Sequence, residues 1–473
     1  MPLGLYYLSS SLMAEGYKVL VIDLTNTHTL NDLIRHLLIN EVIVAGVTCC
    51  TPNFYEAVKI VQVIKRYSPS TKTILGGPHA TAQYEQILKM HLEIDYVCIG
   101  PGEKSIVNLL KFIEGTIAFS SVNNIARRDT KNITINLDDC PNLDPPFPAR
   151  DFFYRNMGTV MASVAASRGC PHFCSFCFSK YDRMEKWMCR DLELVGQEIK
   201  QLVDSNNVNT ILFTDSNFLA SRNRAYDLLA LIQPLNIKFC IASRADSLLK
   251  FSENLDFMFD CGCTYIELGI ESGSQEQLDR YNKGIHVKDN VDAILLLKKH
   301  RANRDFKYNF SFIFFDYDMS FSDLILNIEF FIKNSIDTIE NEHALFSSLV
   351  YLPGSQLYEN ALSKGLIVES YDIPFSYFAD HRVGTVYAFV SAYENLILPN
   401  IKVARKQSAD LYSKNKNQKN AKQLAIMKRI SYKYAAEIIG TGGDRISCQN
   451  VFLKYFDMAI RFLDSNAKEL VNQ

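Results

Sequence analysis

No apolar run in this sequence approaches the roughly 20 residues that a helix needs to span a bilayer, so no membrane segment is expected. An excess of one charge is also lacking. The formal net charge is −2, whereas a chain built to hold nucleic acid would be basic. The opening MPLGLYYLSSSLMAEGYKV has no basic leader before its apolar residues and no clear cleavage site, unlike a signal peptide. A cytoplasmic protein is expected. No internal repeat or low-complexity tract stands out. An apolar fraction of 48% with 22% charged residues is the balance of a globular chain rather than a disordered one. At 473 residues it should hold two or three domains.

Twelve cysteines occur in a chain far too large to need a disulfide framework. Cys49, Cys50, Cys98, Cys140, Cys189, Cys240, Cys261, Cys263 and Cys448 are scattered, and such residues read as small buried hydrophobes. The other three are clustered. SRGCPHFCSFCFSKY sets Cys170, Cys174 and Cys177 in a C-x-x-x-C-x-x-C spacing. Thiolates at this density can converge on one soft metal centre. A closed structural zinc site needs four ligands. His172 or the downstream Cys189 would have to supply the fourth, and the paired C-x-x-C hooks of a zinc ribbon are missing. Three thiolates on a four-iron cluster would instead leave one iron open to a chelating cosubstrate.

Short apolar runs alternate with amphipathic helical stretches at the start of the chain, the signature of a parallel α/β sheet. Residues 2–15 read as a helix stopped by Gly16. Strands are expected at VLVIDL (19–24), VIVAGVT (42–48), TILGG (73–77) and DYVCIG (95–100), with a hairpin over 123–137. Four prolines crowd PNLDPPFPARD (141–151), which predicts an extended linker. A second α/β series offers strands at 159–167, 209–214, 237–243, 264–270, 308–315 and 344–352. Six such repeats make an open, three-quarter barrel.

The tail is mainly helical and basic: Lys402, Arg405, Lys406, Lys414, Lys416, Lys419, Lys422, Lys428 and Arg429 fall in one stretch. A solvated helix face is the plain reading, and an anionic substrate or partner site is the alternative. The division is therefore a first domain over 1–138, a proline-rich linker over 139–157, a partial barrel over 158–370 and a mainly helical region over 371–473.

With the aromatic Phe176 before its last cysteine and a position directly after the first barrel strand, the triad resembles the radical S-adenosylmethionine (radical SAM) superfamily. The resemblance implies a 4Fe–4S cluster on Cys170, Cys174 and Cys177, with Phe176 beside the cofactors. S-adenosylmethionine would chelate the open iron, an electron would break its sulfur–carbon bond, and the resulting 5′-deoxyadenosyl radical would abstract a substrate hydrogen. LGIESGSQEQLDRYNKG (268–284) resembles the superfamily segment whose acid and hydroxyl hold the cosubstrate, implicating Glu271 and Ser272. FTDSNF (213–218) resembles the segment that meets the methionine amino group, implicating Thr214, Asp215 and Ser216. In SRAD (243–246), Arg244 would pair with the methionine carboxylate. All fall at carboxyl ends of strands, where α/β barrels place their chemistry. For each residue alone, helix capping or a satisfied loop is the competing reading.

The beginning of the chain resembles the cobalamin-binding domain that precedes the barrel in one subgroup, on PLGLYYLSSSLMAEGYKV, GVTCCTPNFYEA, LGGPHATA and CIGPGE. Glycines at strand ends let backbone approach a bulky ligand, which makes Thr48, Thr51, Gly76, Gly77, His79, Gly100 and Gly102 cobalamin candidates. LDPPFPARD, YLPGSQLYENALSKGL and YFADHRV also look like this subgroup. The expected fold is thus α/β: a Rossmann-like parallel-sheet domain, a partial (β/α)6 barrel and a helical C-terminal region.

Two departures stand out. Members begin with a buried strand ending in Asn-Pro-Pro before the PLG helix, whereas this chain starts at that helix. The D-x-H-x-x-G loop that supplies a lower histidine to cobalt is also missing, since Asp23 and His28 have the wrong spacing. In FIFFDYDMSFSDL, Asp316 and Asp318 either face the site as acids or cap the next helix.

The resemblance implies a cobalamin-dependent methyltransferase acting on an unactivated carbon, less often phosphorus, of a small natural-product precursor. The alternative is radical SAM cyclisation, rearrangement or dehydrogenation, with or without cobalamin. A non-catalytic corrinoid sensor would leave the triad without a role, and no second triad precedes it as a methylthiotransferase would require. Expected partners are a small-molecule substrate and a reductant such as flavodoxin or ferredoxin, with no nucleic acid and no membrane.

Overall fold

The computed structural model describes residues 3–25, 28–129, 161–178, 187–206, 208–336, 339–367, 377–415 and 429–471. Two compact units emerge. One comprises Met1–Ser243, Lys250–Ile266 and Tyr351–Tyr358, and the other Arg244–Leu249, Glu267–Val350 and Glu359–Gln473.

The first unit opens with α1 (Leu3–Ala14), which buries Tyr6, Tyr7, Ser9 and Ser10. It stops at Gly16, whose φ of 88° suits only a residue without a side chain. A four-stranded sheet follows in the order β1 (Val44–Thr48), β2 (Lys72–Gly76), β3 (Tyr96–Cys98), β4 (Ile125–Ala126). β1 and β2 are parallel, from Val44↔Lys72 to Thr48↔Gly76, and β2 and β3 are parallel through Ile74↔Tyr96. α2 (Leu30–Ile39) precedes the sheet, and α3 (Phe54–Tyr67), α4 (Pro78–Met90) and α5 (Glu103–Ile113) cross between its strands. α3 shows why. Its apolar residues Phe54, Ala57, Val58, Val61 and Ile64 recur at helical spacing and are all buried. Burying each large aliphatic or aromatic side chain favours folding by about 1.5–3 kcal/mol.

One expectation fails in this region. VLVIDL lies in no strand. Its Ile22 and Leu24 pack against Leu33, Leu37 and Ile64 instead, so helix packing rather than a ladder satisfies the run. Of the expected hairpin, only residues 123–129 are described. Ile125 and Ala126 pair antiparallel with Cys98 and Val97 of β3, because the returning chain completes the sheet edge. The rest of the hairpin, the proline-rich linker and Cys140 fall outside the described residues.

The first unit also carries β5 (Met161–Val164), β8 (Thr210–Phe213), β9 (Lys238–Arg244, to Ser243) and the start of β10 (Cys263–Glu271). β5, β8 and β9 are parallel in that order, with Val164 opposite Phe213 and Leu212 opposite Cys240. A small antiparallel ribbon joins β6 (Ser167–Arg168) to β7 (Met188–Cys189). In the second unit, the end of β10 neighbours β11 (Lys307–Phe312). The sixth repeat departs from expectation: residues 344–352 form no strand, and a single bridge joins Ser348 to Phe315. Part of that stretch belongs to a 3-10 turn, Ile339–Phe346, held by the ion pair described next.

The tail is helical, as expected, through His381–Ala392, Leu398–Asn415, Ile430–Gly440 and Arg445–Val471. Its basic stretch is not all solvated. Arg405 is buried and forks onto Glu342, at 2.7 Å from Nη1 and 2.5 Å from Nη2. Lys416, Lys419, Lys422 and Lys428 fall outside the described residues. No helix among the described residues is long and apolar enough to cross a membrane.

Of the scattered cysteines, Cys49, Cys98, Cys261, Cys263 and Cys448 are buried as expected. Cys50 is exposed, and Cys189 and Cys240 are half-buried.

Candidate functional site

β5 delivers the chain to the cysteine loop, and the β6–β7 ribbon closes it. Ser167 pairs with Cys189 and Arg168 with Met188, so the loop that carries Cys170, Cys174 and Cys177 is tied at its base. Within it, the Cys177 amide donates to the Cys174 carbonyl at 3.1 Å. The Leu357 amide, from the YLPGSQL segment, donates to the Ser175 carbonyl at 3.1 Å. The three thiols and Phe176 are half-buried. No three His, Cys, Asp or Glu side chains among the described residues gather closely enough to hold a single metal ion. A four-iron cluster takes each thiolate on a different iron.

Asp215 sits behind this loop rather than beside open space. It is 4% exposed and accepts from the Ala166 amide at 2.9 Å and from the Ser167 hydroxyl. Burial pushes its carboxyl upward. Thr214 and Ser216 flank it and are exposed. The backbone next to the loop is fastened further by Arg224, which donates to the carbonyls of Ala166 at 2.9 Å and Arg190 at 2.5 Å.

Sequence reasoning passed over the acids and arginines that brace the loop. Arg168, two residues before Cys170, donates to Glu103 Oε1 at 2.5 Å. Glu103 opens α5 directly after CIGPG and is 6% exposed. The Arg168 guanidinium lies 5.3 Å from the centroid of the Tyr7 ring. Arg190 is fully buried and donates to the Tyr7 hydroxyl at 3.1 Å, the Ala165 carbonyl at 2.9 Å and Glu198 at 2.7 Å. The signal was present in CIGPGE and SRGC, but not the pairing between them.

The N-terminal candidates lie at the carboxyl ends of β1, β2 and β3 or just beyond them. His79 is buried against the Phe54 ring, with centroids 4.4 Å apart, and its Nδ1 lies 3.1 Å from the Thr51 hydroxyl. Its Nε2 is buried with no hydrogen-bond partner among the described residues. Burial lowers the imidazole to about 4, so the ring is neutral near pH 7. Gly77 has φ of 100°, and a Cβ there would sit 2.5 Å from the Cys49 carbonyl and 3.0 Å from the Thr48 hydroxyl oxygen. The crossing of the first two loops therefore requires glycine. The Cys49 amide donates to the Gly76 carbonyl at 2.8 Å, and the Gly100 amide to the Thr81 hydroxyl at 2.9 Å. At Gly102 a Cβ would meet Leu8 at 3.1 Å and the Cys98 sulfur at 3.2 Å.

In the second unit, Arg244 is 5% exposed and already engaged. Its Nε donates to Asp246 at 2.8 Å and its Nη2 to the Lys283 carbonyl at 2.5 Å. Glu271 ends β10 at φ of 65°, a left-handed conformation that few non-glycine residues hold. It receives Lys283 Nζ at 2.8 Å. Ser272 is fully buried; its hydroxyl donates to Gln277 at 2.6 Å and accepts from the Ser274 amide at 2.9 Å. It stabilises the loop from within. Asp316 is buried and accepts from Arg280 at 2.8 Å and from the Tyr281 hydroxyl at 3.1 Å. Asp318 lies 2.5 Å from Lys364. Neither caps the helix Phe321–Lys333; Ser320 does, in a capping box with Asp323.

Two family models match the chain: "B12 binding domain" over residues 1–110 and "Radical SAM superfamily" over residues 164–325. An uncharacterized methyltransferase of Pyrococcus horikoshii is 28% identical over 386 residues, covering 78% of this chain and 80% of that protein. An anaerobic magnesium-protoporphyrin IX monomethyl ester cyclase of Cereibacter sphaeroides is 28% identical over 319 residues, 63% of this chain. There the chain spans about half of the relative's length, 51%. Among solved structures, the cobalamin-dependent S-adenosylmethionine radical enzyme OxsB, with aqua-cobalamin and S-adenosylmethionine bound, aligns with a TM-score of 0.79 at 19% identity. That alignment covers 100% of this chain and 79% of OxsB.

Proposed function

Since the chain belongs to the radical SAM superfamily and carries a B12-binding domain ahead of its barrel, we propose that it is a cobalamin-dependent methyltransferase. Its substrate would be an unactivated carbon, or phosphorus, of a small biosynthetic precursor. One observation carries the reading: a single compact unit holds both the ribbon-closed cysteine loop and the glycine-bearing edge of β1–β3.

The residues present fit the groups required. Cys170, Cys174 and Cys177 lie on one short loop and in no disulfide, the donor set of an iron–sulfur cluster with an open iron. Thr48, Thr51, Gly76, Gly77, His79, Gly100 and Gly102 would line cobalamin, where the unpartnered His79 Nε2 awaits a polar partner. The bound cluster supplies the electron that cleaves the sulfur–carbon bond of S-adenosylmethionine, and bound cobalamin supplies a methyl carrier.

The protein's share is orientation and exclusion of water. Thr214 and Ser216 offer exposed hydroxyls to the cosubstrate's amino group, while Asp215 holds the loop base from behind. Arg244 keeps a cation fixed for the methionine carboxylate by its bond to Asp246. Glu271 offers its second carboxylate oxygen while Lys283 anchors the first. A reductant such as flavodoxin or ferredoxin would deliver the electron, in a cytoplasmic setting that keeps the thiols reduced.

The test is anaerobic protein, cluster-reconstituted, incubated with hydroxocobalamin and desalted. Four irons and one cobalamin per chain, with S-adenosylhomocysteine and 5′-deoxyadenosine formed on turnover, are the expected outcome. The similarity to a cyclase favours a second reading, radical SAM cyclisation, rearrangement or dehydrogenation. Under it, 5′-deoxyadenosine would form without S-adenosylhomocysteine.

A further inference from the structure

Glu103 belongs to the part of the chain matched as a B12-binding domain, and Arg168 to the part matched as radical SAM. They are 65 residues apart in sequence, yet form one of the shortest ion pairs in the first unit, 2.5 Å, with side chains 7% and 22% exposed. Two features hold the acid in place. It begins α5, and the preceding Gly102 lies where an added Cβ would come within 3.1 Å of Leu8 and 3.2 Å of the Cys98 sulfur. Its second oxygen, Oε2, is buried with no hydrogen-bond partner among the described residues, while Oε1 accepts from Arg168.

The arginine is equally fixed. Its backbone is in the ribbon opposite Met188, and its guanidinium lies over Tyr7. Two residues of chain reach at most about 7 Å, so this cation's backbone is within that distance of the first cluster cysteine.

We propose that Glu103 is a positioning residue for the cysteine loop: it fixes the Arg168 side chain and neutralises its charge, and so sets the redox potential of the cluster. The proposal rests on the cysteine loop holding a four-iron cluster. A cluster gains negative charge on reduction, so a nearby uncompensated cation favours the reduced form and raises the potential, while an uncompensated anion lowers it. Within the pair the two effects oppose each other. Because the acid comes from the N-terminal sheet domain, the potential of the cluster is partly set by a domain that provides none of its thiols.

The experiment is a potentiometric titration of the reconstituted full-length protein, followed by electron paramagnetic resonance, with iron counted for each variant. Glu103→Gln should shift the midpoint to more positive potential and Arg168→Gln to more negative. The double variant should return toward the parent, and Glu103→Asp should stay near it. A purely structural role would give loss of iron or shifts of one sign in both single variants, and that result overturns the proposal. If Glu103→Gln loses iron, the double variant decides: recovered iron supports the pair, and continued loss overturns it. A parent protein without a four-iron cluster removes the reading of the cysteine loop itself, an outcome distinct from failure of the pairing.

Discussion

The two sheets present their carboxyl edges in opposite ways. After β1, β2 and β3 come glycines, the Thr48 and Thr51 hydroxyls and a neutral imidazole with one unused nitrogen, and the one acid that opens α5, Glu103, is turned to Arg168. After β8, β9 and β10 come charged side chains, and each is already held: Asp215 by Ala166, Arg244 by Asp246, Glu271 by Lys283. The difference follows from what each edge would meet. A large ring system needs room and close backbone approach, so side chains are withheld. A small zwitterionic cosubstrate needs fixed charges, and buried charges persist only when paired. Under the proposed function, the first edge is shaped by subtraction and the second by pre-organisation.

Replacing Cys174 with Ala should abolish four-iron cluster assembly and reductive cleavage of S-adenosylmethionine, measured by iron content and 5′-deoxyadenosine. Cobalamin retention should be unchanged, because none of its candidate residues lies on the cysteine loop. Loss of cobalamin as well would mean that the two edges do not bind independently.

A second variant probes how much the barrel side depends on pairing. Arg190 and Glu198 are 1% and 2% exposed, so Glu198→Gln leaves a cation buried beside Tyr7 and the Ala165 carbonyl. Breaking a buried pair from one side typically costs about 3–5 kcal/mol, read as a lower urea midpoint by circular dichroism. An unchanged midpoint would show that the pair is not a structural element of the first unit.

His79 tests the other edge. In the unfolded chain the imidazole takes a proton near 6.5; in the folded protein only near 4. Between those values the unfolded state binds more protons, so stability should fall as pH drops from about 6.5 toward 4. The total loss is about 3 kcal/mol, from a 1.36 kcal/mol linkage per pH unit. His79→Gln should flatten that slope. It should also weaken cobalamin retention by about tenfold, the effect of losing a buried hydrogen bond worth about 1.4 kcal/mol. Unchanged retention would remove His79 from the cradle.

What the sequence reveals follows the range of each interaction. VIVAGVT, TILGG and IKFCIAS are legible because strand pattern is local, and each matches an observed strand to within a residue or two. VLVIDL and ALFSSLVYL have the same pattern but no strand, because ladder partners are supplied by distant chain. The cysteine spacing and the strand-end polar residues are local signals too. The Glu103–Arg168 pair, spanning 65 residues, is not, and neither is the burial of Arg405 by Glu342 across 63. A basic tail reads as solvated until its partner acid is known.

Asp316, Asp318 and Ser320 precede the helix Phe321–Lys333, and all three carry a side-chain oxygen suited to capping. Only Ser320 accepts from the helix, at the Asp323 amide, while Asp323 returns a bond to the Ser320 amide at 3.0 Å. Asp316 is committed to Arg280, and Asp318 reaches Lys364 across partly exposed surface. Ser320→Ala should therefore lower stability by about 1 kcal/mol, the usual contribution of an N-cap. Asp318→Asn should change it by less, since a half-exposed pair contributes about 0–1 kcal/mol and is screened by salt. Denaturation of both variants at low and high salt separates the two, because the cap is insensitive to ionic strength and the ion pair is not. If Asp318→Asn proves the more damaging at high salt, its carboxylate is needed for something other than Lys364, and the acid-facing-the-site alternative regains its ground.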